Sequence, residues 1–163
     1  MNTTPPRYTE RAFPPYRFVP GKSPHPTRDP AGHSYHEHPE PLAAFDTAQW
    51  QNCREYLYGI DLFNHGYWWE AHEALEALWV AAGRETETGQ FLQGLILIAV
   101  AHLKMFQGFD DVARRMAGEG LDMIKRVNGI YLGIDVAALH DAVTAYIAGT
   151  RQTAVTIDLI IRR

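Results

Sequence analysis

The stretch Tyr67-Trp68-Trp69-Glu70-Ala71-His72-Glu73-Ala74-Leu75-Glu76-Ala77-Leu78-Trp79-Val80-Ala81-Ala82-Gly83 decides how this chain is read. It lacks proline, is dense in alanine, leucine and glutamate, and closes on a glycine, so it predicts a helix over 67–82 with Gly83 as a left-handed cap. On a wheel turning about 100° per residue with Glu70 at zero, Ala71, Ala74, Leu75 and Leu78 fall between about 40° and 140°, an ordinary core face. Trp69, His72, Glu76 and Trp79 fall between about 180° and 260°, placing an imidazole and a carboxylate between two indoles. Glu70, Glu73 and Ala77 take the remaining arc, toward solvent. His72 and Glu76 are spaced i, i+4 and are therefore neighbours on the helix surface.

Working outward, glycines punctuate a series of helical segments. Asp46 and Gln49 have capping-box spacing and open a helix that runs, with a break at Gly59, toward Gly66. A third helix begins near Thr86 or Thr88 and reaches Gly108; its part from Phe91 to Phe106 is apolar nearly all round and should be the buried core helix. Asp110 or Asp111 caps a fourth that reaches Val127, and Asp135 caps a fifth that ends at Gly149. The tail from Thr153 to Ile161 is β-branched and alternates weakly, which predicts a docked extended segment. The fold class is therefore all-α, a compact bundle of about five helices.

All ten prolines lie between Pro5 and Pro41. Proline removes a backbone donor and blocks helix interiors, so residues 1–41 read as an extended N-terminal arm and 42–163 as the helical domain. The arm carries Tyr8, Phe13, Tyr16, Phe18 and Tyr35, anchors for wrapping over the domain. It also holds His25, His33, His36 and His38, half of the eight histidines.

With 163 residues, 46% of them apolar, the chain can bury a core without metals or disulfides. Its single cysteine, Cys53, excludes an internal disulfide and fits a reducing compartment. The opening Met1-Asn2-Thr3-Thr4-Pro5-Pro6 lacks the pattern of a signal peptide. The apolar run from Leu95 to Val100 and on to Leu103 falls short of the roughly 20 residues of a membrane span. A cytoplasmic protein is expected, with no membrane partner; a homo-oligomer is compatible. A net charge of −4 leaves nucleic-acid binding to local pairs such as Arg114-Arg115, which suit a solvated face, so no nucleic acid is expected.

His72 and Glu76 supply two ligands for a divalent metal ion, zinc, manganese or iron, whereas a mononuclear zinc enzyme needs three protein ligands and an open position. A third would come from His65, His102, His140 or the arm. His72-Glu73-Ala74-Leu75-Glu76 has the form of a zincin motif with its last histidine replaced by glutamate, in which Glu73 would be the general base. Gln93 and Gly94 bring an amide and a close backbone approach beside the second helix, or serve helix packing alone. An alternative metal cluster is His33, His36 and His38, with His36 and His38 on one side of an extended chain. No paired Glu-x-x-His helices exist for a di-iron bundle. Cys53, Ser23 and Ser34 lack the partners of a nucleophile.

The stretch from Phe63 to Trp79 resembles the signature of the domain of unknown function 309 family: a histidine, three residues, a glutamate, two residues and an aromatic, here His72, Glu76 and Trp79. The block Leu92-Gln93-Gly94-Leu95-Ile96 matches the family's next segment, and the resemblance covers about 55–127. Val19-Pro20-Gly21, Pro24-His25-Pro26 and Gly32-His33-Ser34-Tyr35 resemble an extension of some members. The resemblance implies a compact helical fold and a metal role for the histidine and glutamate, and it carries no established activity.

Two functions from different classes follow. One is metal or small polar ligand binding at His72 and Glu76, walled by Trp69, Glu73, Trp79, Gln93 and Gly94, with hydrolysis by activated water as the reaction. The other is a non-catalytic helical protein-interaction module in which the same motif is structural.

Overall fold

The helix expected over 67–82 is α2, Trp68–Ala82, in a computed structural model that describes residues 3–163. Met1 and Asn2, the start of the expected arm, lie outside the described residues. Around α2, in chain order, come a 3-10 helix Thr47–Asn52, α1 Arg54–Asn64, α3 Glu87–Phe106, α4 Asp110–Ile124, a hairpin of β1 Ile130–Tyr131 and β2 Ile134–Asp135, and α5 Val136–Ala148. The fold is mostly helical, as the glycine-punctuated pattern implies.

The caps explain most of the boundaries. Thr86 Oγ1 accepts from Gly89 N at 3.0 Å and Asp135 Oδ1 from Ala138 N at 3.0 Å, each satisfying a free donor of a first helical turn. Asp46 does the same for Ala48 N at 3.0 Å, but it opens the 3-10 helix. The break before α1 falls at the extended Cys53, not at Gly59. Gly59 instead continues α1 without a break, facing Ala74 and Leu75 of α2 at distances where a Cβ would make ordinary contacts of 3.5 and 3.7 Å. Asp110 and Asp111 are first-turn acids of α4 that favour its dipole, while the capping position belongs to Phe109. Gly83 has a positive φ of 90°, yet its ψ of 119° takes the chain out extended rather than left-handed.

α3 is the core helix: Phe91, Leu92, Leu95, Ile98, Ala99 and Ala101 are buried, and the helix packs between α2 and α4. It is also the one helix among the described residues long and apolar enough to cross a membrane, and 61% of that window is buried inside the fold. Gly94 and Gly120 make the α3–α4 crossing possible. A Cβ on Gly94 would lie 2.7 Å from Ile124 Cγ2, and one on Gly120 would lie 2.7 Å from Gly94 O.

Two polar core residues hold the extended tail. Asn64 receives Ile157 N at 2.6 Å and donates to Ile157 O at 2.8 Å, standing in for a neighbouring β-strand. His102, fully buried, donates from Nδ1 to Ile98 O and accepts Val155 N at Nε2. Val155, Ile157 and Leu159 are thereby buried in alternation with exposed neighbours. The β1–β2 hairpin is absent from the helical reading of the sequence; its tight turn carries Leu132 and Gly133 at φ of 50° and 77°.

The arm lies over α1 and α2. Asp61, fully buried, accepts from Tyr8 N, Thr9 N, Thr9 Oγ1 and Arg7 Nε at 2.7, 2.9, 2.6 and 3.2 Å. Phe13 stacks on Tyr67, and Phe18 is buried, whereas Tyr35 stays at the surface beside His36.

Candidate functional site

The stripe read from the wheel exists on α2, and it has one more member and one less solvent-facing neighbour than the wheel indicates. His72, Glu73 and Glu76 each offer a ligand atom within 4.8 Å of the others, the one such group of three among the described residues. His72 Nδ1 lies 3.5 Å from Glu73 Oε1, and Nε2 lies 3.8 Å from Glu76 Oε1. Nδ1 is buried without a hydrogen-bond partner, so the imidazole is flanked by carboxylates and strongly bonded to neither. Glu73 joins because a long side chain one position on can lean back across the helix surface. Burial raises the Glu73 pKa; the charge of His72 opposes that shift and Glu76 adds to it. Two carboxylates this close to one another favour a cation.

Glu70 departs most from the helical wheel. It is buried rather than solvent-facing, because the arm covers it: Glu70 accepts from Phe18 N at 3.0 Å and from His33 Nε2 at 2.8 Å. A wheel describes one helix and cannot see what lies across it.

Trp69 borders the group on the arm side. Its indole meets Phe18 and His25 edge-on at 5.2 and 5.5 Å between ring centres, and it lies 6.4 Å from the His72 ring. Trp79 borders the other end, with the Arg84 guanidinium 4.7 Å over its ring and its own Nε1 buried without a partner.

The remaining sequence candidates are elsewhere. Gly94 faces Gly120 and Ile124 of α4, so its close approach serves the α3–α4 contact. Gln93 is half-buried on α3, and no hydrogen bond among the described residues joins it to His72, Glu73 or Glu76. His33 is committed to Glu70, with His36 and His38 exposed, so these three do not form a cluster. His65 packs on Phe13, His102 is spent on the tail, and His140 sits on α5. The third member of the group is thus the adjacent Glu73, not a distant histidine. Cys53 is half-buried, and burial raises its thiol pKa, the opposite of an activated nucleophile. Two arm residues border this site without having been assigned to it from the sequence: Phe18, read there as an anchor for wrapping, and His25, read as one of the arm's histidines.

The match to known families falls on this same stretch. Residues 56–116 match the family described as Domain of unknown function (DUF309). The matched span runs from within α1 through α2 and α3 into α4, so it contains His72, Glu73, Glu76 and Trp79 and leaves out the whole arm. It is shorter than the span of about 55–127 read from the sequence. No curated protein matches the chain. The DUF309 match therefore covers the stretch that carries the group and brings no activity with it.

Proposed function

We propose that the outer face of α2 binds a divalent metal ion through His72, Glu73 and Glu76. The observation that carries this reading is the meeting of three ligand atoms within 4.8 Å, one of them on an imidazole whose Nδ1 has no hydrogen-bond partner. Protein ligands about a common ion at roughly 2.1 Å sit closer together than that, and rotamer changes of the two half-exposed glutamate side chains cover the difference. One imidazole with two carboxylates is a mixed nitrogen and oxygen set suited to zinc, manganese or ferrous iron.

All three donors come from one helical stretch and occupy one side of the ion. The outward side is left to water or to a substrate's oxygen, and an ion so placed lowers the pKa of bound water. Hydrolysis is the reaction class this arrangement supports, with Trp69 and Trp79 limiting the solvent around it. A cytoplasmic setting belongs to the same reading, supported by the single thiol of Cys53.

The test is titration of tag-free protein with Mn2+ and with Zn2+, followed by elemental analysis after desalting. The wild type should retain close to one equivalent of one of these ions, and the His72→Ala, Glu76→Ala double variant should retain none. Equal retention by both proteins, or none by either, would remove the metal from this site.

A further inference from the structure

We infer that one loop of the arm, residues 25–34, is a positioning element of the α2 site, pinning Trp69 and Glu70 so that His72 is held ready for its ligand. This rests on the metal-binding reading above and adds to it a part of the chain that the DUF309 match does not include.

The loop is tied together by its own backbone bonds. Asp29 N donates to His25 O, Gly32 N to Asp29 O and Ser34 N to Pro26 O, at 3.2, 2.8 and 3.0 Å. Tyr16 braces it from outside, donating to Pro24 O at 2.7 Å and accepting His33 N at 3.0 Å. Position 32 has no room for a side chain, since a Cβ there would collide with the carbonyl oxygens of His25 and Pro26. The loop therefore carries His25 and His33 as a fixed pair.

Those two histidines meet consecutive residues of α2. His33 Nε2 bonds to Glu70 Oε2 at 2.8 Å, with the two side chains only 2% and 5% exposed, and His33 Nδ1 is taken up by Ser34 Oγ at 2.7 Å. His25 packs edge-on against Trp69 together with Phe18. His25 Nδ1 accepts from Thr27 N and Arg28 N at 3.3 and 3.2 Å, which puts the hydrogen of the neutral ring on Nε2. In this loop His25 is accordingly a wall of the site rather than a metal ligand, its Nδ1 being taken by the loop's own amides.

Trp69 transmits the contact, because it stands i, i+3 from His72 on the same stripe. With the loop docked, the indole has little freedom, and the imidazole beside it is confined. With the loop released, Trp69 and His72 regain rotamers that ligand binding must then remove. Groups that orient a metal ligand commonly change affinity about tenfold or more when removed. By thermodynamic linkage, metal binding must hold the loop down by the same factor that the loop strengthens metal binding.

Two variants and one wild-type measurement test this on the full chain. Gly32→Ala disrupts the loop without touching α2, and His33→Ala removes its bond to Glu70. Each should weaken Mn2+ or Zn2+ binding at least fivefold at temperatures where circular dichroism shows the protein folded. In the wild type, saturating metal should slow hydrogen exchange of the Phe18 amide, which is bonded to Glu70, and in His72→Ala the metal should have no such effect. Unchanged affinity in folded Gly32→Ala or His33→Ala, or Phe18 exchange indifferent to bound metal in the wild type, would overturn the inference and leave the metal site standing. Failure of the wild type to bind either ion would sink the metal site and this inference together.

Discussion

His33 Nε2 lies 2.8 Å from Glu70 Oε2, with both side chains almost fully buried, so a residue of the proline-rich arm and a residue of α2 share one polar contact inside the protein. Glu70 also takes the Phe18 amide, which makes it the point at which the arm is fastened beside the candidate site. Removing one partner of such a buried pair strands the other and typically costs about 3–5 kcal/mol. Glu70→Ala should therefore lose stability on that scale in urea unfolding. Adding His33→Ala to it should cost much less than the sum of the two single losses, since both remove the same bond.

His102 predicts an acid-sensitive step. Burial lowers its pKa to about 4 from 6.5, outweighing the carbonyl of Ile98, which acts the other way. The neutral ring donates to Ile98 O and accepts Val155 N, so a second ring proton would face an N–H group. The folded pKa lies below the unfolded one, so this contribution is fully present above about pH 6.5 and is lost as pH falls toward 4, by up to about 3 kcal/mol. In His102→Gln the decline in melting temperature between pH 6.5 and 4 should be shallower than in the wild type.

Asn64 should be the residue on which the tail depends most. Asn64→Ala leaves both the N–H and the carbonyl of Ile157 without a partner, at about 1–3 kcal/mol for each stranded group. Amide exchange should rise first at Ile157 and Leu159, ahead of α3.

Gly120→Ala should fold less stably by about 1–3 kcal/mol, the usual penalty for overpacking, because its Cβ would press on the Gly94 carbonyl. Gly118→Ala, where nothing lies within 4 Å, should be neutral or stabilising, and thermal melts of the pair separate a packing glycine from a spare one.

Metal addition should stabilise the wild type and not His72→Ala. At about one hundred times the dissociation constant the gain is about 2.7 kcal/mol, readable as a rise in melting temperature that a chelator reverses. Without metal, His72→Ala should stay within about 1 kcal/mol of the wild type, because its side chain is 23% exposed and makes no hydrogen bond at Nδ1. A large loss in the metal-free variant would instead favour a structural role for the motif.

Much of the fold was legible in the chain because it is local. Apolar spacing places α2 and α3, and Thr86 and Asp135 cap helices through bonds that span three residues. The β1–β2 turn was not legible, since it depends on what lies across from it, Trp50 against Gly133 and the Tyr56 hydroxyl on Leu132 O, and the break at Cys53 carries no proline or glycine to signal it. The i, i+4 spacing of His72 and Glu76 was likewise in the sequence, while Glu73 entered the group only through the direction its side chain takes.

The sequence by itself therefore determined most of the helical segments and which stripe of α2 carries an imidazole and a carboxylate, because period and caps act over a few residues. Only the tertiary structure decided that Glu70 is buried, that His33 is bonded to it instead of meeting His36 and His38, and that Gly94 serves α4. Those outcomes come from contacts such as Phe18 with Glu70, 52 positions apart, and a chain read along its length carries no term for a neighbour that only folding brings near.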